Sequence, residues 1–329
     1  MHVRDDVPAD DQLELLSAPS RTARPPAPPE RWYRQRWLHL VLGLLVAVLA
    51  VTWAGQRAGR GVRDNLDARL RDAGAGVDAG LVSVEAEQLS ALRAITFTEG
   101  VARAIVDTDP ATLNRLVTPL HANSDVPMVD VVRPDGRVLL AVRSKGAPRP
   151  VASRAGMPAV AQAMREARGA RGGRFSEIVI FKTGPTLLTI GPVMQQNAPV
   201  GVVLVMTPLA DVLGRLSQDV RADLSVYDPE HGVPLATTAL DDPPAIDPTD
   251  ARTLVGGGAI QMRTIHGDDR EALGRLIVDH QPDAVLGVSL EDNSSVTRNA
   301  VLALTALGLL ATVIILATFW ARVANRGRR

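Results

Sequence analysis

Two apolar runs bracket the chain. Trp37 to Ala54 is one and Ala300 to Ala321 is the other, and each is long enough to cross a bilayer core as a helix. Between them the hydrophobic pattern changes period twice. From 63 to 95, Leu70, Val77, Val84 and Ala91 recur every seven residues, with Leu81 and Ile95 interleaved and Gly74 and Gln88 as weaker members. That stripe predicts one long helix, which packs on its own domain or forms the spine of a dimer. Asp109-Pro110 opens a further helix, with Asp at the cap and Pro in the first turn, and Leu113, Leu116, Val117 and Leu120 supply its apolar face.

From 128 the period changes. Strands are predicted at Met128–Arg133 and Arg137–Val142, joined by the tight turn Pro134-Asp135-Gly136. Pro158 starts a helix that runs through Arg168, and a Gly-rich stretch follows it. Three strands then form a meander: Phe175–Phe181, Thr186–Val193 and Val200–Thr207. A helix from Leu209 to Leu216 leaves it. The pattern then restarts. Leu224-Ser-Val-Tyr-Asp-Pro-Glu-His-Gly-Val-Pro-Leu-Ala236 echoes the stretch from Val129 to Ala141, with Pro229 under Pro134 and Gly232 under Gly136. A Gly/Pro/Asp-rich stretch at 241–258 and strands at 259–265, 272–279 and 284–290 complete the second unit. Such an echo predicts two copies of one small α+β domain.

These residues resemble a known family. Two spans, a long helix after the first and two sheets in tandem are similar to the double Cache sensor domains, the PAS-like extracytoplasmic input modules of bacterial chemoreceptors, histidine kinases and cyclases. The carriers are Val126-Pro-Met-Val-Asp-Val-Val-Arg-Pro-Asp-Gly-Arg-Val-Leu-Leu, Gly191-Pro-Val-Met, Pro199-Val-Gly-Val-Val-Leu-Val-Met-Thr-Pro-Leu, and the echo that begins at Val226. The resemblance implies an α+β fold in which two transmembrane helices flank a long helix and two tandem PAS-like antiparallel-sheet subdomains. It also implies a homodimer that senses a small molecule in the membrane-distal sheet. The expected organisation is a disordered Pro-rich cytoplasmic tail (1–36), a first transmembrane helix (37–54), helices reaching away from the membrane (55–125), a distal subdomain (126–220), a proximal subdomain (221–298), a second transmembrane helix (300–321) and a short basic tail (322–329). Members of the family carry an output module after the second span. Here eight residues follow it, so the output is expected from a separate signalling partner in the membrane or cytoplasm, or the chain is a truncated receptor.

Charge sets the expected orientation. Arg21, Arg24, Arg31, Arg34 and Arg36 precede the first run, and Arg322, Arg326, Arg328 and Arg329 follow the second. Basic flanks favour the cytoplasm, which puts 55–298 outside the inner membrane. Residues 55–298 carry 26 Lys/Arg and 30 Asp/Glu, a balance with no basic footprint for nucleic acid. There is no cysteine, hence no disulfide and no thiolate nucleophile. His121, His231, His266 and His280 lack metal-ligand spacing, and no nucleophile elbow or phosphate loop is present. Neither an enzyme nor a cofactor or metal is expected.

The candidate ligand residues are Asp130, Arg143, Arg154, Arg174, Phe175 and Lys182, with Glu177 near them. They lie on the strands of the distal sheet and the segment crossing it. Arginines fork onto carboxylates, so a small organic anion is the expected ligand. The four aromatics of 55–298, Phe97, Phe175, Phe181 and Tyr227, are too few for an amine cage, and the aromatic-rich pattern of amino-acid-binding double Cache sensors cannot be placed. The alternative is a membrane-anchored scaffold of the same fold without a ligand.

Overall fold

The computed structural model describes residues 30–169, 172–265 and 269–290, with single helical positions between 306 and 318. The chain divides into two units, Met1–Arg57 and Ala58–Arg329. A helix, α1 (Glu30–Thr96), begins in the first and continues in the second. Among the described residues no helix is long and apolar enough to cross a membrane. Most of the run 300–321, and many side chains of the run 37–54, lie outside the described residues.

In the second unit α1 is followed by α2 (Val101–Val106) and α3 (Pro110–Ala122), then β1 (Met128–Val132) and β2 (Val138–Arg143). Asp109 caps α3 as expected, accepting hydrogen bonds from the backbone N–H groups of Ala111 and Thr112. Next come α4 (Pro158–Glu166), β3 (Phe175–Phe181), β4 (Gly184–Gln195), β5 (Ala198–Pro208) and α5 (Leu209–Val220). The order then repeats with β6 (Asp223–Tyr227), β7 (Pro234–Thr237), α6 (Pro248–Val255), β8 (Gln261–Thr264), β9 (Arg270–Val278) and β10 (Gln281–Leu290).

Two antiparallel five-stranded sheets result. Their strand orders are β2-β1-β5-β4-β3 and β7-β6-β10-β9-β8, one topology used twice. The repetition extends to the turns. The β4–β5 hairpin turns through Gln196 and Asn197 and the β9–β10 hairpin through Asp279 and His280, and all four residues have positive φ, as a two-residue type I′ turn demands.

Each sheet has two faces, set by the alternation of strand side chains. Val129, Val131, Val203 and Val205 of the distal sheet pack on Leu92 and Ile95 of α1 and on α2 and α3. Met128, Val132, Leu204 and Met206 point the other way, onto Ala159, Val160 and Ala163 of α4. In the proximal sheet Leu224, Val226, Leu286 and Val288 pack on Leu70, Val77, Leu81 and Val84 of α1 and on α5. Tyr227, Leu273 and Val285 face α6. The α6 side of the proximal sheet is thus the counterpart of the α4 side of the distal one.

The heptad stripe is spent inside the chain. Leu70, Val77, Leu81, Val84, Ala91 and Ile95 are all buried against the sheets and α5. Gln88 is buried too. Its Nε2 donates to Thr207 Oγ1 at 2.8 Å and its Oε1 accepts from Thr189 Oγ1 at 2.6 Å, and Thr189 Oγ1 lies 2.8 Å from Ser176 Oγ. A buried amide with its partners in place is affordable in a core where an unpaired one is not. The dimer spine read from this stripe is therefore corrected: these side chains are covered by their own domain.

Candidate functional site

The α4 side of the distal sheet holds one fully buried charged group. Asp130 sits mid-strand in β1, pairs with Ala141 on β2 and Leu204 on β5, and is fully buried. Two arginines meet it. Arg143, at the end of β2, places Nη2 2.5 Å from Asp130 Oδ1, while its Nη1 donates to the carbonyls of Val129 and Val142 at 3.0 and 2.9 Å. Arg154 donates from Nε and Nη2 to Asp130 Oδ2 at 3.0 and 2.8 Å. Its guanidinium also stacks 4.8 Å from the centre of the Phe181 ring, a favourable position for a cation.

The backbone aims Arg154 at this target. Its N–H donates to Gly136 O at 2.7 Å and Ser153 Oγ donates to the same oxygen. Val138 N–H reaches Ala152 O at 3.1 Å. The crossing segment 152–155 is thereby pinned to the β1–β2 turn. Gly136, at φ +83°, has room for no side chain there, because a Cβ would run into the backbone of Ala155. Both guanidinium groups are mostly withdrawn from solvent, with 11% and 12% side-chain exposure. A buried carboxylate needs such partners, but here it has two. The cluster carries one surplus positive charge. Arg143 Nε has no hydrogen-bond partner among the described residues, and Asp130 Oδ1 meets Arg143 only as an ion pair.

The candidates therefore separate. Asp130, Arg143 and Arg154 come together, and Phe175 and Phe181 pack on the same face. Arg174 does not join them. It precedes Phe175 on the strand and so points to the opposite face, where its aliphatic stem lies near Leu92 and the space over Gly191. Its guanidinium stacks 5.1 Å from Phe97 at the end of α1, and its Nε has no hydrogen-bond partner among the described residues. Lys182 stands exposed in the β3–β4 turn. Placing these two in the same site as Arg154 is corrected: alternation sends Arg174 to the other face, and Lys182 lies exposed in the turn beyond β3.

Sequence reasoning named Glu177 only in passing. It alternates with Phe175 and Val179, half-buried, and burial together with the nearby carboxylate of Asp283 raises its pKa above the ordinary range. Asp283, at the start of β10, accepts Ile178 N–H at 2.8 Å. It ties the free edge of the distal sheet to the proximal one.

The proximal sheet has its own buried polar cluster on the α6 side. Tyr227 Oη donates to Glu271 Oε1 at 2.7 Å, and Arg263 Nε donates to Glu271 Oε2 at 2.6 Å. Burial and the Glu271 carboxylate push the Tyr227 hydroxyl far up. No sequence motif marks this triad, because its members come from β6, β8 and β9. Among the described residues no cluster of three or more His, Asp or Glu is arranged to hold a metal ion.

No family profile and no curated protein matches the chain. Solved structures that are similar to it include three sensor or periplasmic domains. The sensor domain of the Vibrio cholerae histidine kinase DctB is 9% identical over 71% of this chain and 99% of that one, with a TM-score of 0.49. The ligand-binding domain of the Campylobacter jejuni chemoreceptor Tlp3, in complex with L-norvaline, is 12% identical over 70% of this chain and 91% of that one, with a TM-score of 0.49. The periplasmic domain of Vibrio cholerae LuxQ is 12% identical over 68% of this chain and all of that one, with a TM-score of 0.44. The tandem five-stranded sheets and long helix seen here are the architecture that the double Cache resemblance implies.

Proposed function

We propose that the chain is a membrane-anchored extracytoplasmic sensor that binds a small anion on the α4 side of its distal sheet. The observation that carries this reading is the arginine pair. Two guanidinium groups converge on one buried carboxylate under a pinned crossing segment, with one positive charge left over and one buried N–H unused. A carboxylate-bearing metabolite would neutralise that charge through a two-pronged contact. Anchoring is supported by the exposed apolar side chains Leu42, Leu45, Val46, Leu49 and Trp53 of the first run and Leu310, Val313 and Ile314 of the second, a surface that water disfavours. Both termini then lie in the cytoplasm. The signal passes along α1 and the spans to an output module, and a homodimer forms through the outward face of α1.

The test is a thermal-shift panel on the purified full-length chain in detergent, with organic acids, amino acids, amines and sugars. At 100 times its dissociation constant a specific ligand stabilises by about 2.7 kcal/mol, which shifts a domain of this size by a few degrees. Organic acids are expected to give the shift, and Arg154→Ala and Arg143→Ala to abolish it. Shifts by amines or sugars alone would sink the anion reading. Orientation is tested separately by a reporter fused after Arg329, expected to be active only in the cytoplasm.

One observation favours a second reading. Asp130 already pairs with both arginines from within the chain, as a ligand-free scaffold would arrange them. A panel that shifts nothing supports that reading.

A further inference from the structure

The polar cluster of the proximal sheet is arranged around one group, the guanidinium of Arg263. Four contacts reach it from three directions. Nε donates to Glu271 Oε2 at 2.6 Å, Nη2 to Tyr227 Oη and to Pro244 O at 2.8 Å each, and Nη1 to Ala245 O at 3.1 Å. Its Cζ lies over the Tyr227 ring, 5.3 Å from the centre. The acceptors are themselves fixed. Glu271 is 1% exposed and is oriented by Tyr227 Oη. Gly287, on the neighbouring strand β10, leaves the space that the Glu271 carboxylate occupies, since a Cβ there would collide with Glu271 Oε1 and crowd the Tyr227 ring. The carbonyls of Pro244 and Ala245 precede Ile246, whose N–H donates to Gly232 O at 2.9 Å. That bond pins this crossing segment to the β6–β7 turn, as Gly136 pins 152–155.

The cage lies on the α6 side of the proximal sheet, the counterpart of the α4 side of the distal sheet that holds the Asp130 cluster. Its composition is complementary to a planar cation: a fully buried carboxylate, two carbonyls, a phenol oxygen and an aromatic face. Arg263 enters it from β8, a four-residue strand at the sheet edge.

We propose that the proximal subdomain carries a guanidinium-binding site that the chain fills with its own Arg263, so that the intact chain takes no second ligand there and an external guanidinium enters only when Arg263 is truncated. The inference does not depend on what the distal sheet binds.

The test is chemical rescue in the full-length chain. Arg263→Ala is expected to melt several degrees below the parent. Low-millimolar methylguanidinium chloride, far below denaturing levels, is expected to recover part of that loss saturably, while methylammonium chloride and sodium chloride at equal ionic strength recover none. The parent is expected to gain nothing from methylguanidinium, and the double variant Arg263→Ala/Glu271→Gln to show no recovery. If Arg263→Ala does not hold its fold, refolding yield from urea with and without methylguanidinium reads the same question. A melting temperature or yield of Arg263→Ala indifferent to methylguanidinium overturns the proposal. So does an equal gain in the parent chain, which would mean that the cage is not closed by Arg263.

Discussion

Arg154 and Asp130, 24 positions apart in sequence, form a two-pronged ion pair at 2.8 and 3.0 Å beneath the distal sheet's crossing segment. The pair is stable only while each partner is present. Removing the carboxylate leaves two guanidinium groups buried with no countercharge, which costs about 3–5 kcal/mol. Asp130→Ala is therefore expected to lower the unfolding free energy read from urea titration by that amount, and Asp130→Ala/Arg154→Met to recover part of it by removing one of the stranded charges. A loss under about 1 kcal/mol in Asp130→Ala would show that water reaches the cluster and screens it.

The stripe on α1 separates a folding role from an association role. Val77 and Val84 are buried against the chain's own α5 and proximal sheet, while Val82 is 64% exposed on the same helix. Val77→Glu places a charge in the core and is expected to unfold the second unit. Val82→Glu is expected to leave the melting curve within about 0.5 kcal/mol of the parent, as a surface change does, and to weaken self-association in sedimentation. A Val82→Glu chain that sediments like the parent at all concentrations removes the outward face of α1 from any dimer.

How far the sequence could be read follows from these positions. Composition and turn chemistry made the strands visible, because Met128 to Val142 and Phe175 to Thr207 are short β-branched and apolar runs separated by turn residues. The echo at Val226 anticipated a second sheet of the same strand order. Helix α6 was hidden in a stretch that reads as loop, although Asp247-Pro248 repeats the Asp109-Pro110 signal and Asp247 accepts Thr249 N–H at 2.7 Å. The site was half legible. Asp130 and the arginines were nameable as charged residues near strands, but which face each takes depends on register. One position separates Arg174 from Phe175 and sends it to the far side. The stripe showed which residues of α1 are apolar and could not show what covers them. The Arg263 cage joins three strands and two loop carbonyls, so nothing local in the sequence announces it.

Acidity is expected to act through the junction of the two sheets. Glu85 of α1 accepts Asp279 N–H at 2.9 Å at the β9–β10 turn, and Asp283 accepts Ile178 N–H at 2.8 Å. Burial raises the pKa of Glu85, and the Asp279 charge adds to it while the Asp279 N–H and His280 oppose it. Burial likewise raises Asp283 against its bond from Ile178, and it raises Glu177 with help from Asp283. A group whose pKa is higher folded than unfolded binds more protons in the folded state, so its contribution is present at low pH and is lost as pH rises through the folded value. The helix caps Asp109 and Asp247 run the other way. Their hydrogen bonds to Thr112 and Thr249 hold them low, and their contribution is lost only below the ordinary carboxylate range. As pH falls from neutrality toward that range, the junction is thus expected to tighten before the caps fail. Urea midpoints measured in steps of pH check this. Glu177→Gln/Asp283→Asn should flatten the rise, and a parent curve with no rise at all would refute the sign.

The last expectation concerns the turn that holds Arg154 in place. Gly136 has φ +83°, and a Cβ on it would meet the backbone of Ala155. Its carbonyl accepts the N–H of Arg154 at 2.7 Å. Gly136→Ala therefore carries two costs. The positive φ alone is worth about 1–2 kcal/mol for a residue with a Cβ, and the collision pushes segment 152–155, with Arg154 on it, away from Asp130. Gly146 provides the matched control. It has φ +89°, but nothing lies within 4 Å of a Cβ placed there. Gly146→Ala should bear the conformational cost and leave the arginine pair untouched. The two variants are expected to lose comparable stability from strain, with Gly136→Ala losing more. Only Gly136→Ala should also weaken binding of whatever acid the thermal-shift panel identifies, although neither variant alters a charged group. Equal affinity in both would mean that the position of Arg154 does not matter to the ligand, and the site would have to be sought away from Asp130.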